Sequence, residues 1–277
     1  MPVTDYLPPD LFAGTTTFVT GGGSGINLGI ARCFAQLGAN LALCGRTQEK
    51  LDAAQAELEA LGARVFTATA DVRDYDALAE ALAQTQEALG PIHTLVCGAA
   101  GNFLAPAEEL SAGGFKAVVD IDLLGSFNAS RAAFDQLRAT QGSIVFISAG
   151  QAFVPYAAQA HAGAAKAGVD NLMRNLALEW GRYGIRSNSI APGPIEGTEG
   201  MRRLAPGEAG QQLRRAIPLG RFGTTDEIGH AAVFLASPLA AYITGTLLVV
   251  DGGMNLPGSG LYTQILTRHL QAQAADS

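Results

Sequence analysis

Thr20-Gly21-Gly22-Gly23-Ser24-Gly25-Ile26-Asn27 decides how this chain is read. The stretch follows a β-branched run, Thr16–Thr20, and opens a segment of helical period. Glycines at such a junction let the backbone turn sharply and approach a pyrophosphate, whose charge meets the N–H groups at the helix start. An ordinary tight turn is the other reading of the glycines alone. The strand before and the helix after favour dinucleotide binding, with Gly21, Gly23, Ser24, Gly25 and Ile26 as the candidate cradle.

Outward from this loop the chain alternates. Short β-branched runs recur at Thr16–Thr20, Asn40–Cys44, Arg64–Thr69, Ile92–Cys97, Ser143–Ser148, Ile185–Ala191 and Leu247–Val250. Ala/Leu/Glu-rich helical segments such as Gln48–Leu61 and Asp74–Leu89 lie between them. This rhythm predicts an α/β, single-domain, doubly wound Rossmann fold with a seven-stranded parallel sheet over residues 1–277. Gly62, Gly90 and Gly142 fall where helix C-caps or turns belong. Two segments break the rhythm. Residues 192–220 carry too many glycines and prolines for one rigid element, so a mobile lid is expected over about 194–220. Residues 254–277 follow the last strand and are expected to cover a neighbouring subunit.

Composition narrows the class. Hydrophobic residues make up 48% and charged residues 16% of the 277, which fits a well-buried globular domain. A net charge of −7 leaves no basic footprint for nucleic acid. No apolar run reaches the roughly 18 residues of a membrane helix. Cys33, Cys44 and Cys97 form no CxxC pair, so buried reduced thiols are expected and no metal site is called. The N-terminus lacks the regions of a signal peptide and the C-terminus is no peroxisomal address, so a bacterial cytoplasm is the expected location.

The end of the second strand selects the dinucleotide. Binders of the unphosphorylated form place an acid there for the ribose hydroxyls. This chain has Leu43-Cys44-Gly45-Arg46-Thr47 instead. Arg46 can pair with a 2′-phosphate, helped by Lys50 one helical turn on, which favours NADP(H). The alternative is that Arg46 stands at a solvated helix start.

Further motifs follow in order: Asp71-Val72, Cys97-Gly98-Ala99-Ala100-Gly101, Lys166, Pro192-Gly193-Pro194-Ile195 with Thr198, and Val250-Asp251-Gly252-Gly253. Together they resemble the short-chain dehydrogenase/reductase family over nearly the whole chain. The resemblance implies that Asp71-Val72 meets the adenine ring and that Ala99 packs on the cofactor. It also implies that Pro192, Gly193, Ile195 and Thr198 hold the nicotinamide end, and that Lys166 binds its ribose. Asn27 departs from the family's TGxxxGxG pattern, which has glycine there, and looser helix–strand packing or an altered loop is expected.

The family's Asn-Ser-Tyr-Lys tetrad falls on Asp122, Ala149, Ala162 and Lys166. Carbonyl reduction needs a hydroxyl acid to quench the oxyanion, and alanine has none. Reduction of a dienoyl thioester differs, since its proton goes finally to carbon. The runs Cys97–Leu104, Asp120-Ile121-Asp122, His161-Ala162-Gly163 and Ala191–Gly200 resemble 2,4-dienoyl-CoA reductases of the peroxisomal type. That resemblance implies a water held by Asp122, and acyl-CoA contacts from Arg73, Phe103, the Ser111–Gly113 turn and Arg203. The mitochondrial type uses a tyrosine 15 residues before the lysine, where this chain has Gln151.

Asp170, one helical turn beyond Lys166, is expected to join the catalytic network. Asp122 with Lys166 reads either as catalytic or as a structural ion pair. His161 points away from position 162 and is read as structural, at a subunit contact. Tyr156 is read as a displaced acid or as a half-exposed ring at a helix start. Arg202-Arg203 and Arg214-Arg215 either meet CoA phosphates or face solvent beside Glu199 and Glu208. Two competing functions stay open: a ketoacyl-type NADP(H) oxidoreductase with a substitute acid, and an inactive dinucleotide-binding scaffold. Helices at about 111–138 and 156–181 are expected to pair copies into a homodimer or homotetramer, as family members do.

Overall fold

The sheet is built by side chains that alternate between its faces. In β1 (Thr16–Thr20) Phe18 enters one apolar cluster and Val19 the other. The split recurs in β2 (Asn40–Gly45), with Leu41 and Leu43 against Ala42 and Cys44, and in β4 (Ile92–Cys97), with Val96 against Leu95 and Cys97. Burial on both faces is why these strands read as nearly unbroken apolar runs. The structure, a computed structural model, describes residues 2–204 and 208–256, without the side chains of residues 202–204, 208 and 209.

Four further strands, β3 (Val65–Thr69), β5 (Ser143–Ile147), β6 (Arg186–Pro192) and β7 (Leu247–Val250), complete a seven-stranded sheet in the order β3-β2-β1-β4-β5-β6-β7. Every pairing is parallel. The strands match the expected runs to within one residue at either end. Helices α1 (Gly25–Gln36), α2 (Gln48–Glu59), α3 (Tyr75–Leu89), α4 (Ala112–Val119), α5 (Gly125–Thr140), α6 (Ala160–Trp180), α7 (Glu199–Leu204), α8 (Glu208–Ala216) and α9 (Thr225–Ala236) connect them. Ile30 and Phe34 of α1 pack with Ile228 and Val233 of α9 on one face. Leu78 of α3, Ala133 of α5 and Met173 of α6 cover the other. The winding reverses between β1 and β4, which opens a crevice at the carboxyl ends of the strands.

Several local expectations are corrected. Gly90 caps α3 at φ 87°, but at the end of α5 the positive φ falls on Gln141, at φ 52° in the left-handed helical region. Gly142 is required for another reason: a Cβ there would stand 2.4 Å from the His93 carbonyl. The segment expected as one helix over 111–138 is interrupted by a π-helical turn at Asp120–Leu124. The helix expected from 156 starts at Ala160, because Ala158 is held at φ 59° and Gln159 is not helical. Tyr156 therefore lies in the preceding turn. The lid segment contains α7 and α8, with Ile195 bridged to Gly223 and the Gly223 carbonyl accepting from the Glu196 N–H at 2.8 Å. Residues 205–207 and 257–277 lie outside the described part, so the expected subunit-covering tail is not seen. Among the described residues no helix is long and apolar enough to cross a membrane.

Candidate active site

A cavity of about 810 Å³ opens where the winding reverses. Its wall takes Gly21, Gly23 and Ser24 from the loop after β1, and Arg46 and Lys50 from the segment after β2. Asp71 and Val72 follow β3, while Ala99 and Phe103 follow β4. Gly25 and Ile26 sit at the start of α1 and do not line the cavity.

The donor set fits a dinucleotide. Ser24 makes no side-chain cap on α1, which leaves the leading N–H groups of the helix for an anion. A Cβ on Gly23 would press within 3.2 Å of the Lys50 side chain, so glycine there lets the loop pack closely on the start of α2 and brings Lys50 to the cavity. The cavity volume is in the range of cofactor sites. Arg46 and Lys50 put two cations at the end where an acid would exclude a 2′-phosphate.

Asp71 is engaged on one side. Arg73 Nη2 approaches Asp71 Oδ2 at 2.6 Å, and Arg73 Nε donates to Asp71 Oδ1 at 3.0 Å. These bonds hold the Asp71 carboxyl down at about 2. The expected acyl-CoA ligand Arg73 is thus tied to the expected adenine ligand, outside the cavity wall.

Asn27 does not loosen the loop. Its Nδ2 donates to the Gly21 carbonyl at 3.2 Å and to the Gly98 carbonyl at 2.8 Å, joining the loops after β1 and β4. From the strand side, Thr20 Oγ1 accepts from the N–H of Gly98 at 3.0 Å and of Ala99 at 3.2 Å.

Beneath these loops lies a buried ion pair. Lys166 Nζ stands 3.2 Å from Asp122 Oδ2, with side-chain exposures of 10% and 1%. Lys166 Nζ also donates to the Ile147 carbonyl at 2.8 Å, and Asp122 Oδ1 accepts from the Gly101 N–H at 2.7 Å. Gly101 and Ile121 line the cavity, so the pair is one residue removed from its wall. The π turn presents Asp122, and such turns often occur at functional sites. Ala162 is buried on α6, and Ala149 follows β5 in extended backbone. Neither carries a group to protonate an alkoxide.

Asp170 is buried on the same helix. Burial raises its carboxyl above the ordinary range. Ser148 and Ser189 favour its charged form, as do Arg174 and Lys166, but Asp170 Oδ1 has no hydrogen-bond partner of regular geometry.

The rim is set by contacts that the sequence reading missed. Asn102 Nδ2 donates to Gln159 Oε1 at 2.8 Å, and Gln159 Nε2 donates to the Phe103 carbonyl at 3.2 Å. The Ala158 carbonyl, in its left-handed backbone, accepts from the Ala105 N–H at 3.1 Å. These ties hold the Phe103 ring against His161, with centroids 4.3 Å apart. His161 is fully buried, and among the described residues neither imidazole nitrogen has a hydrogen-bond partner. Tyr156 donates its hydroxyl to Asn255 Oδ1 at 2.6 Å, and burial raises its pKa, which makes it a poorer proton donor.

The remaining candidates divide. Gly193 and Ile195 line a second cavity of about 100 Å³ rather than the large one, and Pro192 closes β6. Thr198 Oγ1 donates to the Ile195 carbonyl at 2.9 Å and accepts from the Met201 N–H at 3.3 Å, organising the start of α7. Ser111 caps α4 by accepting from the Gly114 N–H at 3.0 Å, apart from the cavity wall. The Arg203 side chain lies outside the described part. Arg214 pairs with Glu196 at 3.3 Å, an acid the sequence reading did not name, and lies over the Phe222 ring. Glu199 and Gly200, quoted in the Ala191–Gly200 run but not expected in the site, place the start of α7 on the cavity wall. Cys33, Cys44 and Cys97 are free and buried, each thiol pushed up to about 12.

The fold, the glycine loop and the retained lysine define a class, and comparison with known proteins agrees. The chain belongs to the short-chain dehydrogenase/reductase family: residues 21–255 match the family model described as enoyl-(acyl carrier protein) reductase. It is 42% identical to the peroxisomal 2,4-dienoyl-CoA reductase [(3E)-enoyl-CoA-producing] of Saccharomyces cerevisiae, over 96% of this chain and 94% of that one. Among solved structures, a short chain dehydrogenase from Bacillus anthracis is 40% identical with a TM-score of 0.80, covering 88% of this chain and 98% of that one. A gluconate 5-dehydrogenase from Burkholderia cenocepacia, in complex with NADP and tartrate, is 31% identical with a TM-score of 0.83, covering 89% and 97%. The family's cofactor is a nicotinamide dinucleotide.

Proposed function

We propose that this chain is an NADPH-dependent reductase of 2,4-dienoyl-CoA thioesters, forming the 3-enoyl-CoA in the oxidation of unsaturated fatty acids. The observation that carries the reading is the buried Asp122–Lys166 pair kept beside the cavity while both hydroxyl positions are alanine. When bound, the reduced nicotinamide supplies hydride to carbon. Lys166, anchored on the Ile147 carbonyl, would hold the nicotinamide ribose and lend positive charge to the developing enolate. Hydride at the δ carbon and a proton at the α carbon leave the double bond between C3 and C4. The proton comes from a water on Asp122, whose Oδ1 is already fixed by the Gly101 N–H. Asp170 sustains this network from one turn further along α6. Arg46 and Lys50 select the 2′-phosphate; Gly21, Gly23 and Ser24 cradle the pyrophosphate, with Gly25 and Ile26 behind them at the start of α1; Asp71, Val72 and Ala99 seat the adenosine half. Pro192, Gly193, Ile195 and Thr198 hold the nicotinamide end.

In this reading the segment 194–220 is a lid that covers the site, and Phe103 with Arg73, Ser111 and Arg203 receives the acyl-CoA. The enzyme works in a cytoplasm as a homodimer or homotetramer. The test is NADPH oxidation with 2,4-hexadienoyl-CoA beside acetoacetyl-CoA. Turnover of the dienoyl thioester alone is expected; turnover of the ketone would mean that a substitute acid exists. Silence with both, despite NADPH binding, would favour a scaffold.

A further inference from the structure

Asn27 occupies a helix position where the family pattern has glycine, and the structure gives it a task. Its Nδ2 bonds the Gly21 and Gly98 carbonyls, and all three residues line the dinucleotide cavity. The fit is reciprocal. A Cβ on Gly98 would stand 2.1 Å from Asn27 Oδ1, and a Cβ on Gly21 would stand 2.9 Å from Asn27 Nδ2. Gly98 has no left-handed φ that would demand glycine. Its lack of a side chain therefore answers to Asn27. Among the described residues Asn27 Oδ1 is buried without a partner, a cost that a hydrogen-bond donor arriving with a ligand would remove.

We infer that Asn27 is a positioning residue for the dinucleotide: its amide staples the phosphate-binding loop to the loop after β4, and Gly98 is glycine to admit it. The two loops that must grip opposite sides of the cofactor are thereby held at their bound separation before binding, which lowers the ordering cost of association. The inference rests on the dinucleotide reading of the cavity.

The test is a double-mutant cycle read as the NADPH dissociation constant of the free enzyme, by nicotinamide fluorescence, with the melting temperature measured alongside. Asn27→Ala is expected to weaken NADPH about tenfold, the scale of one net hydrogen bond. Gly98→Ala, which evicts the amide, is expected to weaken it equally. The double variant should bind within about twofold of either single one, because both changes remove the same staple. Unchanged affinity in Asn27→Ala, or penalties that multiply in the double variant, would overturn the proposal. A melting temperature that falls while affinity holds would mark Asn27 as purely structural and overturn it too. A wild-type chain that binds no NADPH would defeat the underlying dinucleotide reading and the staple with it, a result distinct from equal affinities.

Discussion

Asp122 and Lys166 meet at 3.2 Å where neither charge is solvated, so each neutralises the other. Removing one partner leaves an uncompensated buried charge, which costs about 3–5 kcal/mol. Asp122→Ala is therefore expected to lower both stability and turnover. Asp122→Asn keeps an oxygen for the Gly101 N–H but loses the carboxylate that orders the water. It should melt below the native enzyme, since Lys166 loses its counter-charge, but above Asp122→Ala, and lose about 10²-fold or more in kcat. Equal kcat in Asp122→Asn would assign the pair to structure alone.

Cofactor choice is expected to sit on Arg46. Arg46→Ala should weaken NADPH by about 10- to 100-fold and leave NADH affinity nearly unchanged, as loss of a charge-assisted contact to the 2′-phosphate predicts. Titration with both dinucleotides separates this from damage to the loop, which would weaken both.

Burial raises the Asp170 carboxyl, so its neutral form is the one the fold prefers. Stability from this group is fully present below the ordinary carboxylate range and is lost as pH rises through the raised folded value. Asp170→Asn should thus melt higher than the native chain at pH 7, with the gap closing toward pH 4. A lower melting temperature at pH 7 would show that attraction to Lys166 outweighs desolvation.

The Phe103 ring, 41% exposed and backed by His161, is expected to carry acyl recognition. Phe103→Ala should raise KM for the dienoyl thioester about tenfold, in line with the apolar area of one ring, while the NADPH dissociation constant stays fixed. A parallel loss of NADPH affinity would move Phe103 to the cofactor.

Tyr156→Phe is expected to leave dienoyl turnover within about twofold, since the hydroxyl is occupied by Asn255 and weakened as an acid. Loss of activity in that variant would make Tyr156 the proton donor.

Much of this was readable beforehand because the strands report themselves twice, by β-branched composition and by burial on both faces. Arg46, Lys50 and the glycine loop were likewise legible, since each stands next to a strand end that the fold must bring to the crevice. Other features had no one-dimensional signal. Asn27 looked like a defect because its partners, Gly21 and Gly98, include one 71 residues away. Ser111 and Thr198 were read only as ligands, yet each also serves a helix start, which short polar side chains do wherever a helix begins. The Gln159 ties to Asn102 and Phe103 depend on the left-handed Ala158, a conformation that alanine composition argues against.

The π turn at Asp120–Leu124 means that this helix carries one residue more than a regular spiral of the same span. Everything after it is rotated by about 100° relative to everything before it. Excising a single residue between Leu123 and Gly125 would restore ideal helical winding and improve local backbone regularity. It would also turn the α5 face that covers the sheet away from Asp122's bearing on Lys166, so the two could not be satisfied together.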